Sequence, residues 1–118
     1  MIIIGMQAIH LFLGMFMTGL PQTLILIPIF IPMVIALGFD PVWFIVIYLI
    51  NSEMGHTTPP FGVQLFVMQG VTSKETTFGD IVKAGIPFLI CDAAAIAVIL
   101  AFPIVALWLP SLMMTAAR

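Results

Sequence analysis

The sequence predicts an all-helical integral membrane protein with a re-entrant helical hairpin, a discontinuous transmembrane helix and a final span. Three observations carry that prediction. Of the 118 residues, 63% are apolar, against roughly half in a soluble domain. The only charged side chains are Lys74, Lys83, Arg118, Asp40, Glu53, Glu75, Asp80 and Asp92, with none in residues 1–39 or 93–117, so there is no charged outer face to meet water. Most of the apolar runs are also too short, or too interrupted, to cross a bilayer as plain helices. The same composition excludes intrinsic disorder, and three basic residues make no nucleic-acid footprint. No nucleophile–base pair, phosphate-binding glycine loop or metal triad is present, so the chain does not read as an enzyme. Cys91, the single cysteine, excludes an intrachain disulfide or a multi-cysteine metal site and reads as a small buried hydrophobe.

The hairpin comes first. Residues 2–17 are apolar apart from Gln7 and His10 and form one arm. Residues 18–23, Thr-Gly-Leu-Pro-Gln-Thr, form a tip, and the return arm runs to Leu37. Residues 24–37 carry Pro28 and Pro32 and reach about 21 Å as helix, short of the roughly 30 Å of a hydrocarbon core. The turn at residues 38–41, Gly-Phe-Asp-Pro, then lies at a membrane surface where Asp40 stays hydrated. Two tilted spans joined by an aqueous loop at residues 18–23 are the alternative. Gln7 and His10 share a helical face, which suits a polar contact between helices better than a proton relay.

The broken helix follows over residues 42–69. An apolar half at residues 42–50, about 13 Å long, leads into a polar stretch at residues 51–62 and a second apolar half at residues 63–68. Neither half spans alone. Gly55 and Gly62 permit unusual backbone, and Pro59-Pro60 forbids a continuous helix. At membrane depth such a break is tolerated only inside protein or beside a water-filled cavity, and transporters place their sites there. Asn51, Ser52, Glu53, Thr57 and Thr58 supply oxygen donors beside freed carbonyls, the ligand chemistry of a hard cation such as sodium. Glu53, costly at membrane depth, is either a cation ligand or a partner for the free N–H groups of the second half. His56 reads as a local hydrogen-bonding group. An aqueous loop between two short segments is the alternative to the break.

Residues 70–85 form a connector, the one water-exposed region, where Ser73 or Thr76 could cap a short interfacial helix reaching Ala84. Lys74 and Lys83 place it in the cytoplasm by the positive-inside rule, with Arg118 on the other side. Residues 86–110 make the last span, interrupted by Asp92 and Pro103 and anchored by Trp108. Asp92 sits near the interface or pairs with Lys83. The apolar start without a positive n-region is no secretory signal; several hydrophobic segments without a leader suggest part of a larger membrane domain.

Taken in order, the motifs closely resemble one family. They are residues 13–17 (Leu-Gly-Met-Phe-Met), Pro28 with Pro32, and residues 37–41 (Leu-Gly-Phe-Asp-Pro); then Asn51, Glu53 and Gly55, and Thr58, Pro59, Pro60 and Gly62 with Leu65-Phe66; then Pro87-Phe88, Phe102-Pro103 and residues 107–110 (Leu-Trp-Leu-Pro). The set covers nearly the whole chain and resembles the C-terminal part of the large membrane (permease) subunit of tripartite ATP-independent periplasmic (TRAP) transporters.

That resemblance implies one inverted repeat of an elevator-type fold in a multi-pass protein of the bacterial inner membrane. It implies sodium-coupled import of organic acids, C4-dicarboxylates or other carboxylates. It further implies a small TRAP membrane subunit, an extracytoplasmic solute-binding protein and the remainder of the large subunit as partners. Sodium is the coupling ion, and no cofactor is expected. The candidate cation and substrate residues are Thr18, Gly19, Asn51, Ser52, Glu53, Gly55, Thr57, Thr58, Pro59, Pro60 and Gly62, with sodium on Asn51 and Thr58. Thr18 stands where the family commonly has an acidic residue, so the tip supplies a hydroxyl without charge. The family subunit is several times longer than this chain, which implies a fragment or a split gene product. A small accessory or assembly membrane protein is one rival; a related ion-coupled dicarboxylate or citrate carrier that needs no binding protein is the other.

Overall fold

The computed structural model describes residues 1–117, and among them the chain is all helical. The helices are α1 (Ile2–Gly14), α2 (Gly19–Ala36), α3 (Pro41–Thr57), α4 (Val63–Val71), α5 (Phe78–Ala101) and α6 (Ile104–Ala116). Two of them, α2 and α5, are long and apolar enough to cross a membrane. Arg118, expected on the far side of the membrane, lies outside the described residues.

Helix α3 is the centre. Its residues Trp43, Phe44, Ile47, Tyr48, Asn51 and Gly55 are buried, covering more than one face of a helix. Helix α1 packs along it through Ile3, Met6, His10 and Gly14. The contacts pair Gln7 with Asn51 and Gly14 with Gly55, so α1 and α3 run parallel. Helix α2 returns antiparallel, burying Gln22, Leu26, Phe30 and Val34 at a four-residue spacing, with Thr23 bonded to Tyr48 and Phe30 edge-on to Phe44. Pro28 and Pro32 lie on its exposed side, away from the packed face.

Local chemistry fixes the ends. Gly38, at φ 78°, ends α2 by taking the left-handed conformation that only glycine enters freely. Gly38 N–H then bonds the Ile35 carbonyl and Phe39 N–H the Val34 carbonyl, which satisfies the last turn. Asp40 caps α3 by accepting from Val42 N at 2.7 Å and Trp43 N at 3.4 Å, with Pro41 in the first helical position. Helix α5 lies antiparallel beside both α4 and α3: Phe66 stacks on Phe78, and Trp43 Nε1 donates to the Ile99 carbonyl at 3.0 Å.

Five expectations are corrected. The turn of the hairpin is residues 15–18, and Pro21, Gln22 and Thr23 belong to α2, because a proline in the first turn needs no N–H partner. The connector holds no separate interfacial helix. Ser73 and Thr76 bond each other, and Thr77 caps α5 in a reciprocal box with Asp80, so one helix runs from Phe78 to Ala101. That helix also separates Lys83 and Asp92 by nine residues, about 13 Å along the axis, too far to pair. It ends before Pro103, so residues 86–110 are two helices, and Trp108 lies exposed on α6. Cys91 is exposed rather than buried, since no other element covers its face of α5.

Candidate functional site

Three backbone features meet at one level of the molecule: the hairpin turn, the start of α2, and the break between α3 and α4. Gly14 and Gly55 touch backbone to backbone. A Cβ built on Gly55 would stand 2.9 Å from the Gly14 Cα, and one on Gly14 would stand 3.2 Å from the Gly55 Cα. A Cβ on Gly19 would stand 3.1 Å from the His56 ring and 4.0 Å from the Ser52 hydroxyl. Phe16 of the turn packs on Phe61 of the break at 5.3 Å between ring centroids.

The break is shorter than the sequence suggests. Asn51, Ser52, Glu53, Gly55 and Thr57 are all helical, and only residues 58–62 are unwound. The reason is the position of the missing donors: every residue up to Thr58 still offers an N–H, whereas Pro59 and Pro60, joined by a cis peptide, offer none. Thr57 and Thr58 also turn their hydroxyls back onto carbonyls of the last turn of α3. The two prolines leave the His56 carbonyl without a helical partner. That carbonyl and the Thr58 carbonyl converge on buried Gly62, where a Cβ would stand 2.5 Å and 2.9 Å from them. Only glycine fits there. A cluster of neutral oxygens of this kind suits a hard monovalent cation better than a transition metal.

Across from it, Thr18 occupies the N-cap of α2 but makes no side-chain cap bond. The first N–H groups of α2 therefore have no partner from the cap. Free N–H groups on one side and free carbonyls on the other offer opposite chemistry to a cation and a carboxylate.

The predicted residues do not all gather there. Gly19, Ser52, Gly55, Thr58, Pro59 and Gly62 surround this meeting point, while Pro60 is exposed. Glu53 is exposed and accepts from Gln64 Nε2 of α4 at 3.0 Å, bridging the break from outside. Thr57 faces a groove of about 380 Å³ shared with Gln64, Leu65, Ile81, Gly85 and Phe88. Asn51 is buried and donates through Nδ2 to the Gln7 carbonyl at 2.7 Å and Gln7 Oε1 at 2.8 Å. It stands seven positions before Thr58, about 10 Å along α3, so a single ion cannot take both side chains. Residues not singled out as site residues complete the surroundings. Gln22 Nε2 ties the two hairpin arms by donating to the His10 carbonyl at 2.7 Å, and His10 stacks on Tyr48 at 3.7 Å. An amide or imidazole in an otherwise apolar arm was the available signal for Gln7, His10 and Gln22; Gly14 stands in the motif at residues 13–17, but nothing there marked its contact with Gly55.

Comparison with known proteins gives the family of the chain. The family model described as "Tripartite ATP-independent periplasmic transporter, DctM component" matches residues 1–105. The chain is 34% identical over 111 residues to the C4-dicarboxylate TRAP transporter large permease protein DctM of Pseudomonas aeruginosa, covering 94% of this chain and 26% of that protein. It is 35% identical over 102 residues to the sialic acid TRAP transporter large permease protein SiaM of Vibrio cholerae, covering 86% and 23%. With the 2,3-diketo-L-gulonate TRAP transporter large permease protein YiaN of Escherichia coli it shares 39% over 80 residues, covering 68% and 18%. The chain thus spans about a quarter or less of the length of these relatives. No solved structure matches it.

Proposed function

The chain belongs to the DctM component family of tripartite ATP-independent periplasmic transporters, and from that premise we propose that it forms a cation- and carboxylate-binding part of a sodium-coupled organic-acid importer. Its relatives are transporter permeases, not enzymes. The observation that carries the proposal is the meeting of the hairpin turn and the uncapped start of α2 with the double-proline break, Phe16 packing on Phe61 and Gly19 lying against His56.

Depth supports it. Helix α5, about 36 Å long, is a span by length and composition. Gly85 and Phe88, which line the groove with Thr57, stand about 11–15 Å along it from Phe78. The groove also takes in Asp80 and Ile81 nearer the start of α5, so on this reading the break lies between the surface and the middle of the layer that α5 crosses. Helix α1, about 20 Å long, reaches that level from the opposite side without crossing. On this reading sodium is held by the His56 and Thr58 carbonyls with the Thr58 hydroxyl, and Ser52 lies within reach of the start of α2. A substrate carboxylate takes the free N–H groups of Gly19 and Leu20. Asn51 contributes by holding the hairpin rather than by ligating the same ion as Thr58.

The elevator movement, the small membrane subunit, the solute-binding protein and a multi-pass place in the bacterial inner membrane belong to the same proposal. The C4-dicarboxylate named for relatives makes succinate the first substrate to try. The test is cysteine accessibility across residues 51–62 in the complete permease with Cys91 replaced, labelled from each side in sodium, potassium or choline. Protection at Ser52 and Thr58 by sodium alone is the expected result. Free labelling from one side, indifferent to sodium, would mean an aqueous loop and overturn the reading.

A further inference from the structure

We propose that the seam between α1 and α3 is a moving contact, dry in the state described here and opened to water in another, with His10 on its wetted face. The inference rests on the transport reading above and concerns a part of the molecule that the ion and substrate do not touch.

Among the described residues, the buried side-chain polar atoms without a hydrogen-bond partner are Gln7 Nε2, both ring nitrogens of His10, Gln22 Oε1 and His56 Nε2. Those of Gln7, His10 and Gln22 lie where α1 meets α2 and α3, while His56 lies apart, against Gly19 at the start of α2. His10 is 0% exposed and Gln22 1%. The His10 ring lies flat on Tyr48, 3.7 Å between centroids at 9°. That contact is made by the ring face, and the nitrogens contribute nothing to it. Phenylalanine in this position would stack equally well and leave no polar atom stranded.

A permanently dry seam is best lined by apolar groups, because a buried polar atom left unpaired is costly. Polar lining is favoured where the same surface is hydrated in a second state. Apolar packing across the seam is extensive, Ile3 and Met6 joining the core of Trp43, Phe44, Ile47 and Tyr48, but the polar links that would fix one register are few. Asn51 to Gln7 is the one side-chain hydrogen-bonding link between α1 and α3 among the described residues. Gly14 and Gly55 meet as bare backbone, with no side chains interlocked to resist sliding. Much of the outer surface of α1 is exposed: Ile2, Ile4, Ile9 and Phe12, with Phe16 of the turn beyond them, are not packed away by any helix of this chain.

The experiment treats the complete transporter, in proteoliposomes, with diethyl pyrocarbonate in sodium or choline chloride and reads modification of His10 by mass spectrometry. A seam open in a minor state gives a rate about a tenth to a thousandth of that in the denatured complex, matching a state populated at about 0.1–10%. A rate that differs between the two salts supports both the moving seam and sodium coupling. An equal, measurable rate in both supports the moving seam while sinking sodium coupling. No modification in either salt overturns the moving seam. As a second measurement, His10→Phe is expected to raise the thermal midpoint or leave it unchanged. A lowered midpoint, or failure to fold, means that the ring nitrogens hold the closed seam, and it overturns the proposal.

Discussion

The chain interrupts its helices at proline twice, at residues 58–62 and at Phe102-Pro103, and the two interruptions differ in what becomes of their carbonyls. At the second, the Phe102 carbonyl accepts from Val105 N–H, and the Pro103 carbonyl accepts from Ala106 and Leu107 N–H. The carbonyl that Pro103 deprives of a helical donor, that of Ile99, is taken by Trp43 Nε1 of α3, and Phe102 and Pro103 themselves lie exposed. At the first, a second proline follows immediately, the His56 and Thr58 carbonyls turn inward on a buried glycine, and the hairpin turn covers them. A proline break alone is therefore only a bend. It becomes a candidate site when the carbonyls it frees find no N–H donor in the chain and are enclosed by a second element.

The sharpest way to test that contrast is Gly62→Ala against Pro103→Ala. A methyl group at position 62 must displace two carbonyls, an overpacking that costs about 1–3 kcal/mol. Sodium-stimulated uptake by the complete transporter is expected to fall roughly tenfold to a hundredfold. Pro103→Ala, exposed and away from the site, is expected to stay within about twofold. Equal losses would erase the distinction between the two breaks.

The enclosing element is tested by Gly55→Ala, whose new Cβ meets the Gly14 backbone at 2.9–3.1 Å. It should destabilise the protein by about 1–3 kcal/mol, read as a lowered thermal midpoint in detergent. Gly5→Ala in α1 meets nothing within 4 Å and should raise stability by up to about 1 kcal/mol through helix propensity. A smaller contrast separates the two N-caps. Asp40→Ala removes a cap that makes real bonds and should cost about 1 kcal/mol, whereas Thr18→Ala removes none. If Thr18→Ala costs as much in thermal stability, the start of α2 is capped after all and is not free for a carboxylate.

The smallest effect lies at the aqueous end. Side-chain and backbone hydrogen bonds from Thr77 hold the Asp80 carboxyl below the usual carboxylate range. A lowered folded value means that the capping box contributes fully above the ordinary carboxylate pKa and is lost as pH falls through the lowered one. Hydrogen exchange of the first turn of α5 should accelerate only in that acidic window. Acceleration beginning near neutral pH would point to another group.

Much of this was legible in the residues. Sparse charge announced the membrane, and Gly38 with Asp40 marked the turn between hairpin and central helix. Pro59-Pro60 located the break. The polar stretch predicts a longer break than the structure has, because polar side chains alone do not unwind a backbone: Asn51 to Thr57 all keep their N–H groups and stay helical. The directions of Asn51 and Glu53 were not legible for a related reason. Composition shows that an oxygen is present but not which way it faces, and Asn51 faces α1 while Glu53 faces Gln64. The Gly14–Gly55 contact had no local signal at all, since it depends on two helices running in the same direction.

That parallel course has an electrostatic result. Helices α1 and α3 both finish at the break and α2 and α4 both begin there, so two negative and two positive helix ends share one small volume. Their far fields nearly cancel, giving a quadrupole whose potential dies away within a few ångströms. A cation or an anion arriving alone is attracted only on contact, and each leaves the opposite pair of ends uncompensated. Loaded together, the two charges satisfy all four ends and each other, so the arrangement favours a neutral ion pair over either partner and links the occupancy of one to that of the other without any moving part.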